Sequence, residues 1–165
     1  MDYSLSNIDI EYCLDGKTNI IIYPNLEKFN SIDELLDPYD NCVILYMTKK
    51  NYGHWCCFYR VNGMIEFFDS YGIEPDMELK EINKNFRNKN GQKIPYLTEL
   101  LLKSDKEISY NNYKLQKLSP SIATCGRHCV VRIANKDIPI DDYANILKSL
   151  GNPDEVVTEI TQFIK

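Results

Sequence analysis

Six cysteines and two histidines are the residues of this sequence best suited to covalent chemistry. Among the thiols, Cys125 has the most favourable setting, because Thr124 before it is a typical helix N-cap and a helical run follows. The free N–H groups and the dipole at a helix N-terminus favour a thiolate. Gly126 would leave room for a substrate, and the backbone N–H of Cys125 is a candidate oxyanion donor. The sequence therefore predicts that Cys125 is a nucleophile.

A base for this thiol is predicted in a β-hairpin. Aromatic and β-branched runs flank Asn62-Gly63, a pair typical of a two-residue hairpin turn. In that register Cys56 lies opposite Asp69, and His54 is a diagonal neighbour of Asp69 on the same face, with Cα atoms about 7–8 Å apart. A hydrogen bond can span that distance. Because an imidazole held by a carboxylate is a general base, we expect a Cys-His-Asp triad.

Other chemistry fits the spacing less well. His128 lies three residues after Cys125 on the same predicted helix, where a distant carboxylate would be poorly placed to orient it. We therefore expect it to lie on the helix face or to support the catalytic residues without contacting the substrate. Structural zinc sites usually use Cys-x-x-Cys pairs, which the sequence lacks, and adjacent Cys56 and Cys57 would point to opposite faces of a strand. No metal or other cofactor is expected. The other thiols, including Cys129, are expected to be reduced.

Composition indicates one acidic, folded domain that spans residues 1–165. The net charge is −5, and hydrophobic residues make up 44%, which is enough for a buried core. The acidity argues against sequence-independent binding of nucleic acid, and the basic segment 80–93 is expected to be a solvated surface. No signal peptide or membrane span is apparent, so an intracellular, soluble protein is expected.

An α+β fold is predicted around the hairpin. Cys42–Met47 has the apolar pattern of a buried strand, and Glu107–Tyr110 is a shorter candidate. The segment 111–123 has the composition of a loop. Helical patterns or helix boundaries occur at 26–36, 77–86, 94–103, 124–135, 141–150 and 153–164. These elements predict a central antiparallel sheet with helices packed on it.

Together these motifs resemble those of the adenain/Ulp superfamily of cysteine proteases. They occur in the family's order of His, Asp, Gln and Cys: Gly53-His54-Trp55, Phe67-Phe68-Asp69-Ser70-Tyr71-Gly72, and Gln116 ahead of Thr124-Cys125-Gly126-Arg127. The resemblance covers about residues 43–131 and is greatest to the compact adenovirus-protease-like enzymes of large DNA viruses. It implies a papain-like core with permuted order, in which helices flank a central antiparallel sheet.

The resemblance also implies a role for each matching residue. Cys125 would attack the scissile carbonyl, His54 would shuttle the proton, and Asp69 would orient His54. Gln116 would donate its side-chain N–H to the oxyanion. Trp55 would form a wall of the substrate cleft.

Two departures from the family pattern affect these expectations. Gln116 stands nine residues before Cys125, whereas a shorter spacing is usual in the family. The loop 117–122 must therefore bulge, or Asn111 or Asn112 must act as the donor instead. The adenovirus enzyme is basic and is activated by DNA, so for this acidic chain no DNA cofactor is expected.

Three functions are compatible with the sequence. The first is a viral processing protease, a cysteine endopeptidase that cleaves viral structural or polyprotein substrates after a Gly-containing motif. The second is an isopeptidase specific for ubiquitin or a ubiquitin-like modifier on host proteins. The third is a non-catalytic binding module that kept the fold. For both enzymes the partner would be a protein and not a membrane, in the host cytoplasm or nucleus or packaged in virions.

Overall fold

A five-stranded mixed sheet forms the centre of the computed structural model, which describes residues 4–50 and 52–163. The strands lie side by side in chain order: β1 (Asn19–Ile22), β2 (Asn41–Lys49), β3 (Tyr52–Val61), β4 (Met64–Phe68) and β5 (Ile108–Tyr110). The three middle strands are antiparallel, as predicted. The outer strands, β1 and β5, pair in parallel with β2 and β4. Each reaches its partner through a helical connection, which permits parallel pairing.

Helices pack on the sheet, which confirms the α+β prediction. In the described ranges they comprise seven α-helices: α1 (Asn7–Cys13), α2 (Ile32–Leu36), α3 (Lys84–Lys89), α4 (Tyr96–Leu102), α5 (Cys125–Ala134), α6 (Ile140–Leu150) and α7 (Pro153–Ile160). Two 3₁₀ helices, Tyr23–Lys28 and Met77–Glu81, take up parts of segments predicted as continuous helix. The predicted end of the last helix at residue 164 lies outside the described residues.

The hairpin of β3 and β4 has the predicted register. Val61 pairs with Met64 and Cys57 with Phe68, and both turn residues, Asn62 and Gly63, have positive φ, at 50° and 75°. Two positive φ angles define the type I′ turn that an Asn-Gly pair favours. The ladder between β3 and β4 ends at Cys57, so the chain after β4 leaves the sheet while β3 continues towards residue 52.

Alternate residues of β3 belong to two separate hydrophobic cores. Trp55 and Cys57 pack in the core that contains α5, α6 and α7. Cys56 and Phe58 pack in the core on the other face, with α2, α4 and the first 3₁₀ helix. Since side chains alternate along a strand, His54 projects to the same face as Cys56.

Helix α5 is fixed on its face of the sheet by a buried arginine. Arg132 donates hydrogen bonds from Nη2 to Glu66 at 2.9 Å and from Nε to the Tyr59 hydroxyl at 2.7 Å. Near the other end of the helix, Gly126 lies against Leu5 and Trp55, where an added Cβ would come within 3.1 Å and 3.2 Å of their atoms. The helix N-terminus is thereby held beside β3. No helix in the described part of the chain is both long and apolar enough to cross a membrane.

Candidate active site

His54 and Asp69 are paired, as the hairpin register predicts. The Nε2 atom of His54 lies 3.0 Å from Oδ1 of Asp69, and both side chains are buried. The same carboxylate accepts hydrogen bonds from the Tyr71 N–H at 2.8 Å and from the Cys56 thiol at 3.1 Å. The Tyr71 ring stacks on the imidazole with centroids 4.6 Å apart. The imidazole is therefore fixed through one nitrogen, which leaves Nδ1 for a second partner.

The electrostatics of the pair favour an imidazolium beside a carboxylate. Burial lowers the pKa of His54, but the charge of Asp69 and the hydrogen bonds to Asp69 and Cys125 outweigh it and hold that pKa well above its usual value. For Asp69, burial raises the pKa, yet the charge and hydrogen bond of His54 lower it overall. The neighbouring thiol behaves differently, because burial and the Asp69 charge raise the pKa of Cys56 well above normal. Cys56 is thus a neutral hydrogen-bond donor.

Cys125 is the first residue of α5 and lines the same cavity as His54. The backbone N–H of Trp55 donates to its Sγ atom at 3.4 Å. That N–H has no partner on β4, because the last pair of the ladder between β3 and β4 is Cys57 with Phe68 and Trp55 lies beyond it. The structure thus brings together the thiol, the imidazole and the carboxylate from α5, β3 and the end of β4.

Gln116 reaches the same site. Its Oε1 atom accepts a hydrogen bond from the Ser70 hydroxyl at 2.6 Å, which turns Nε2 towards the Tyr71 hydroxyl and the carbonyl of Ile122, each 3.4 Å away. The Ser70 carbonyl also accepts the backbone N–H of Gln116 at 2.9 Å. The following loop folds back through a turn in which Ile122 N–H bonds to Ser119, so the long spacing before Cys125 is accommodated.

The alternative amide donors lie elsewhere. Asn111 is buried, and its side-chain N–H groups donate to the carbonyls of Asp69 and Tyr113 at 2.9 Å and 3.1 Å. Asn111 therefore supports the backbone that carries Asp69. Asn112 is exposed and does not line the cavity beside Cys125.

A cavity of about 610 Å³ opens beside these groups and is lined by Cys125, His54, Gln116 and Tyr71 among others. Trp55 lies on a neighbouring cavity of about 780 Å³. The two cavities share Ser4, Tyr52 and Gly53 as lining residues. Gly126 lines neither cavity, since it faces the packing contact with Leu5 and Trp55 described above.

One cluster in the described residues has the composition of a metal site. Ligand atoms of His54, Cys56 and Asp69 lie within 4.8 Å of one another. Their proximity is accounted for by the two hydrogen bonds that Asp69 accepts, and all three side chains are buried. The cluster therefore serves to fix the imidazole.

A second buried His–Asp pair was not predicted. His128 Nε2 lies 2.9 Å from Oδ1 of Asp154, which also accepts the Thr124 hydroxyl at 2.7 Å, while Oδ2 accepts the Lys117 N–H at 2.9 Å. Thr124 thus occupies the predicted N-cap position, but its hydroxyl is bonded to Asp154 and not to the helix. Burial lowers the pKa of His128 in spite of Asp154, so this imidazole is neutral. Asp154 joins the start of α5 to the loop after Gln116.

Sequence comparison places the chain in a viral family. It is 46% identical over 164 residues to an uncharacterized protein, V9, of Sputnik virophage, with 96% of this chain and 94% of V9 aligned. The chain belongs to the V9 family. No protein-family model matches it. Because V9 is uncharacterized, membership in the V9 family does not by itself assign an activity.

Similar solved structures include two proteases. A protease of ASFV has a TM-score of 0.44 and 16% identity over 82% of this chain, which spans 58% of that protease. The C-terminal Ulp1 protease domain, in complex with Smt3, the yeast ortholog of SUMO, has a TM-score of 0.41 and 16% identity, covering 97% of this chain and 79% of the domain. These similarities are distant, so the functional conclusion depends on the geometry of the site.

Proposed function

We propose that this chain is a cysteine peptidase with Cys125 as nucleophile, His54 as proton shuttle and Asp69 as the carboxylate that orients it. The observation that carries the proposal is that Cys125 lines one cavity with an imidazole whose Nε2 atom is bound to a buried carboxylate. This is the arrangement by which thiol nucleophiles are activated in peptide hydrolysis.

The geometry supports a two-step reaction. The Cys125 sulfur, having given its proton to His54, attacks the scissile carbonyl carbon and forms a C–S bond. The resulting oxyanion would be met by Nε2 of Gln116 and the backbone N–H of Cys125. His54 then protonates the leaving amine as the C–N bond breaks, which gives a thioester. In the second step His54 takes a proton from water, whose oxygen attacks the thioester and releases the acid and the thiol.

The proposed setting is maturation of viral proteins by cleavage after a Gly-containing motif. Its support is the viral family together with the family resemblance of the sequence motifs. We further propose that residues 1–165 form a single catalytic domain, because both hydrophobic cores pack on one sheet.

A peptide-library digest of the purified protein tests the activity, with Cys125→Ala and Cys129→Ala as a matched pair. Cys129 is a fully buried thiol on the same helix. We expect Cys125→Ala to abolish cleavage and Cys129→Ala to retain most of it. Equal loss in both variants, with both folded, would contradict the assignment of the nucleophile.

Electrophilic probes made from the C-termini of ubiquitin and SUMO test the rival isopeptidase activity. Covalent labelling of Cys125 by one of them would favour modifier removal over processing. Cleavage of library peptides without labelling would favour processing. If neither occurs and Cys125 reacts with iodoacetamide no faster than an ordinary thiol, the chain is a binding module and not an enzyme.

A further inference from the structure

The cavity beside Cys125 has an acidic wall that the proposed mechanism does not use. Glu78 and Glu81 line it from the 3₁₀ helix Met77–Glu81. Glu78 is only 8% exposed. Within the described residues, its carboxylate has no hydrogen bond and no ion pair. A buried carboxylate without a partner is costly to maintain, so its position on the cavity wall suggests a partner supplied by a ligand.

The position of this helix is fixed by a second buried carboxylate. Asp76, the residue before the helix, accepts the hydroxyls of Tyr23 and Tyr46 on Oδ1 at 2.8 Å and 2.9 Å. Its Oδ2 atom accepts the Thr98 N–H and hydroxyl at 2.7 Å and 2.6 Å. Tyr46 is paired with His54 in the ladder between β2 and β3. Asp76 therefore anchors the helix to the residue directly opposite the catalytic base.

Glu78 and His54 line the same cavity, and the helix that carries Glu78 is anchored through Asp76 to Tyr46, which pairs with His54. Glu78 therefore lies on the His54 side of the cavity. Of the charged groups that act on its carboxyl, His54 has the strongest influence, followed by Asp69 and Glu81. In the proposed mechanism His54 gives its proton to the leaving amine, so this side of the cavity receives the part of the substrate that follows the scissile bond.

We propose that Glu78, with Glu81 beside it, binds a Lys or Arg side chain of the substrate on the leaving-group side of the scissile bond. The inference rests on the proposed peptidase function and adds a substrate class to it. A cationic side chain would give the Glu78 carboxylate the partner that the chain itself lacks. A charge-assisted hydrogen bond in such a partly desolvated site contributes about 1.5–3 kcal/mol, or about 10–150-fold in affinity.

The pH dependence of this recognition follows from the groups around Glu78. Burial raises its pKa to about 7, His54 lowers it, and Asp69 and Glu81 raise it. Of the other titratable groups on the cavity wall, Tyr71 is neutral because burial raises its pKa. Lys114 is exposed and forms no ion pair with either glutamate in the described residues. Preference for a cation should therefore be present above about pH 7 and weaken as the pH falls and Glu78 takes up a proton.

The test uses two peptides derived from a cleaved library sequence, identical except for Lys or Gln at a position after the scissile bond. We expect the protein to prefer the Lys peptide by about tenfold or more in kcat/KM at pH 8, chiefly through KM. In Glu78→Gln the ratio of the two kcat/KM values should fall to about two or less. The matched control, Glu155→Gln, changes an exposed glutamate on α7 and should keep the original ratio.

Several results would overturn the inference. The inference is wrong if the unmodified protein cleaves the Lys and Gln peptides with equal kcat/KM at every position tested, or if Glu78→Gln keeps the original ratio of the two values. An equal fall in kcat/KM for both peptides would mean that Glu78 acts through His54 instead. If Glu78→Gln does not fold, the ratio in the unmodified protein between pH 6 and 8 decides, since a constant ratio contradicts the proposal. Failure of the peptidase function itself is distinct, because then neither peptide is cleaved.

Discussion

Replacing Ser70 by Ala tests whether the Gln116 amide is held in a catalytic orientation. The Ser70 hydroxyl is fully buried and donates to Oε1 of Gln116 at 2.6 Å, and the Ile122 carbonyl, which can only accept, lies 3.4 Å from Nε2. An amide turned the other way would therefore lose the bond to Ile122. A neutral hydrogen bond of this kind contributes about 0.5–1.5 kcal/mol. We therefore expect Ser70→Ala to lower kcat by about 2–10-fold with little change in KM. Gln116→Ala, which removes the oxyanion donor itself, should lower kcat by about 10²-fold or more.

The decisive measurement is the double variant, assayed by steady-state hydrolysis of one library-derived peptide. If Ser70 acts only by orienting Gln116, Ser70→Ala should have almost no further effect on kcat once Gln116 is Ala. Thermal unfolding of all three variants separates this effect from loss of folded protein. A double variant whose loss equals the product of the two single losses would refute the reasoning. Full activity of Gln116→Ala would move the oxyanion role to another loop residue.

Three further predictions concern the residues that hold the site together. Asp69→Asn should lower kcat by about 10²–10⁴-fold. Because removing its charge lowers the pKa of His54, the alkaline limb of the pH–rate profile should move to lower pH; an unmoved limb would contradict the pairing. Asp154→Asn should reduce the free energy of unfolding by about 1–3 kcal/mol at pH 7 in urea titrations. Burial raises the pKa of Asp154, but its hydrogen bonds outweigh burial and hold that pKa below its usual value. The stability that Asp154 contributes is therefore present above about pH 4 and is lost as the pH falls through the pKa of the folded state. A stability difference between the two proteins that grows in acid would contradict this. Gly126→Ala should reduce the free energy of unfolding by about 1 kcal/mol through the contact with Leu5, seen as a lower melting temperature, with KM unchanged. A raised KM in a fully stable variant would instead place Gly126 in the cleft.

The hairpin and its pairing could be predicted because their information is local. An Asn-Gly turn of two residues fixes the parity of both strands, and parity alone places His54, Cys56 and Asp69 on one face. The start of α5 was predictable for the same reason, since N-cap and helix pattern are adjacent in sequence. The first helix was missed although Ser6 and Asp9 form a capping box, which is a signal the sequence does carry.

The groups that hold the site in place could not be predicted, because each depends on residues far apart in the chain. Asp154 meets Thr124 and His128 only after α7 packs beside α5. In the sequence Asp76 has the pattern of an ordinary turn residue. Only the fold brings four hydrogen-bond donors from three other elements to its carboxylate. The parallel pairing of β1 with β2 could not be predicted for a related reason. Its partner lies across a helical connection, and four residues give too short a pattern to identify.

Strand β3 divides its residues between two layers, and this restricts how genes of this family can change in length. A single codon inserted or deleted within β3 would exchange the faces of the residues on one side of the change, and one in the turn would do the same to β4 and Asp69. Either change would separate the His54 imidazole from the carboxylate that holds it. The loop 117–122 is not part of a strand, so a change in its length does not turn any side chain to the opposite face of the sheet. Among relatives, insertions and deletions should therefore collect between Gln116 and Cys125, while the interval from His54 to Asp69 keeps one length.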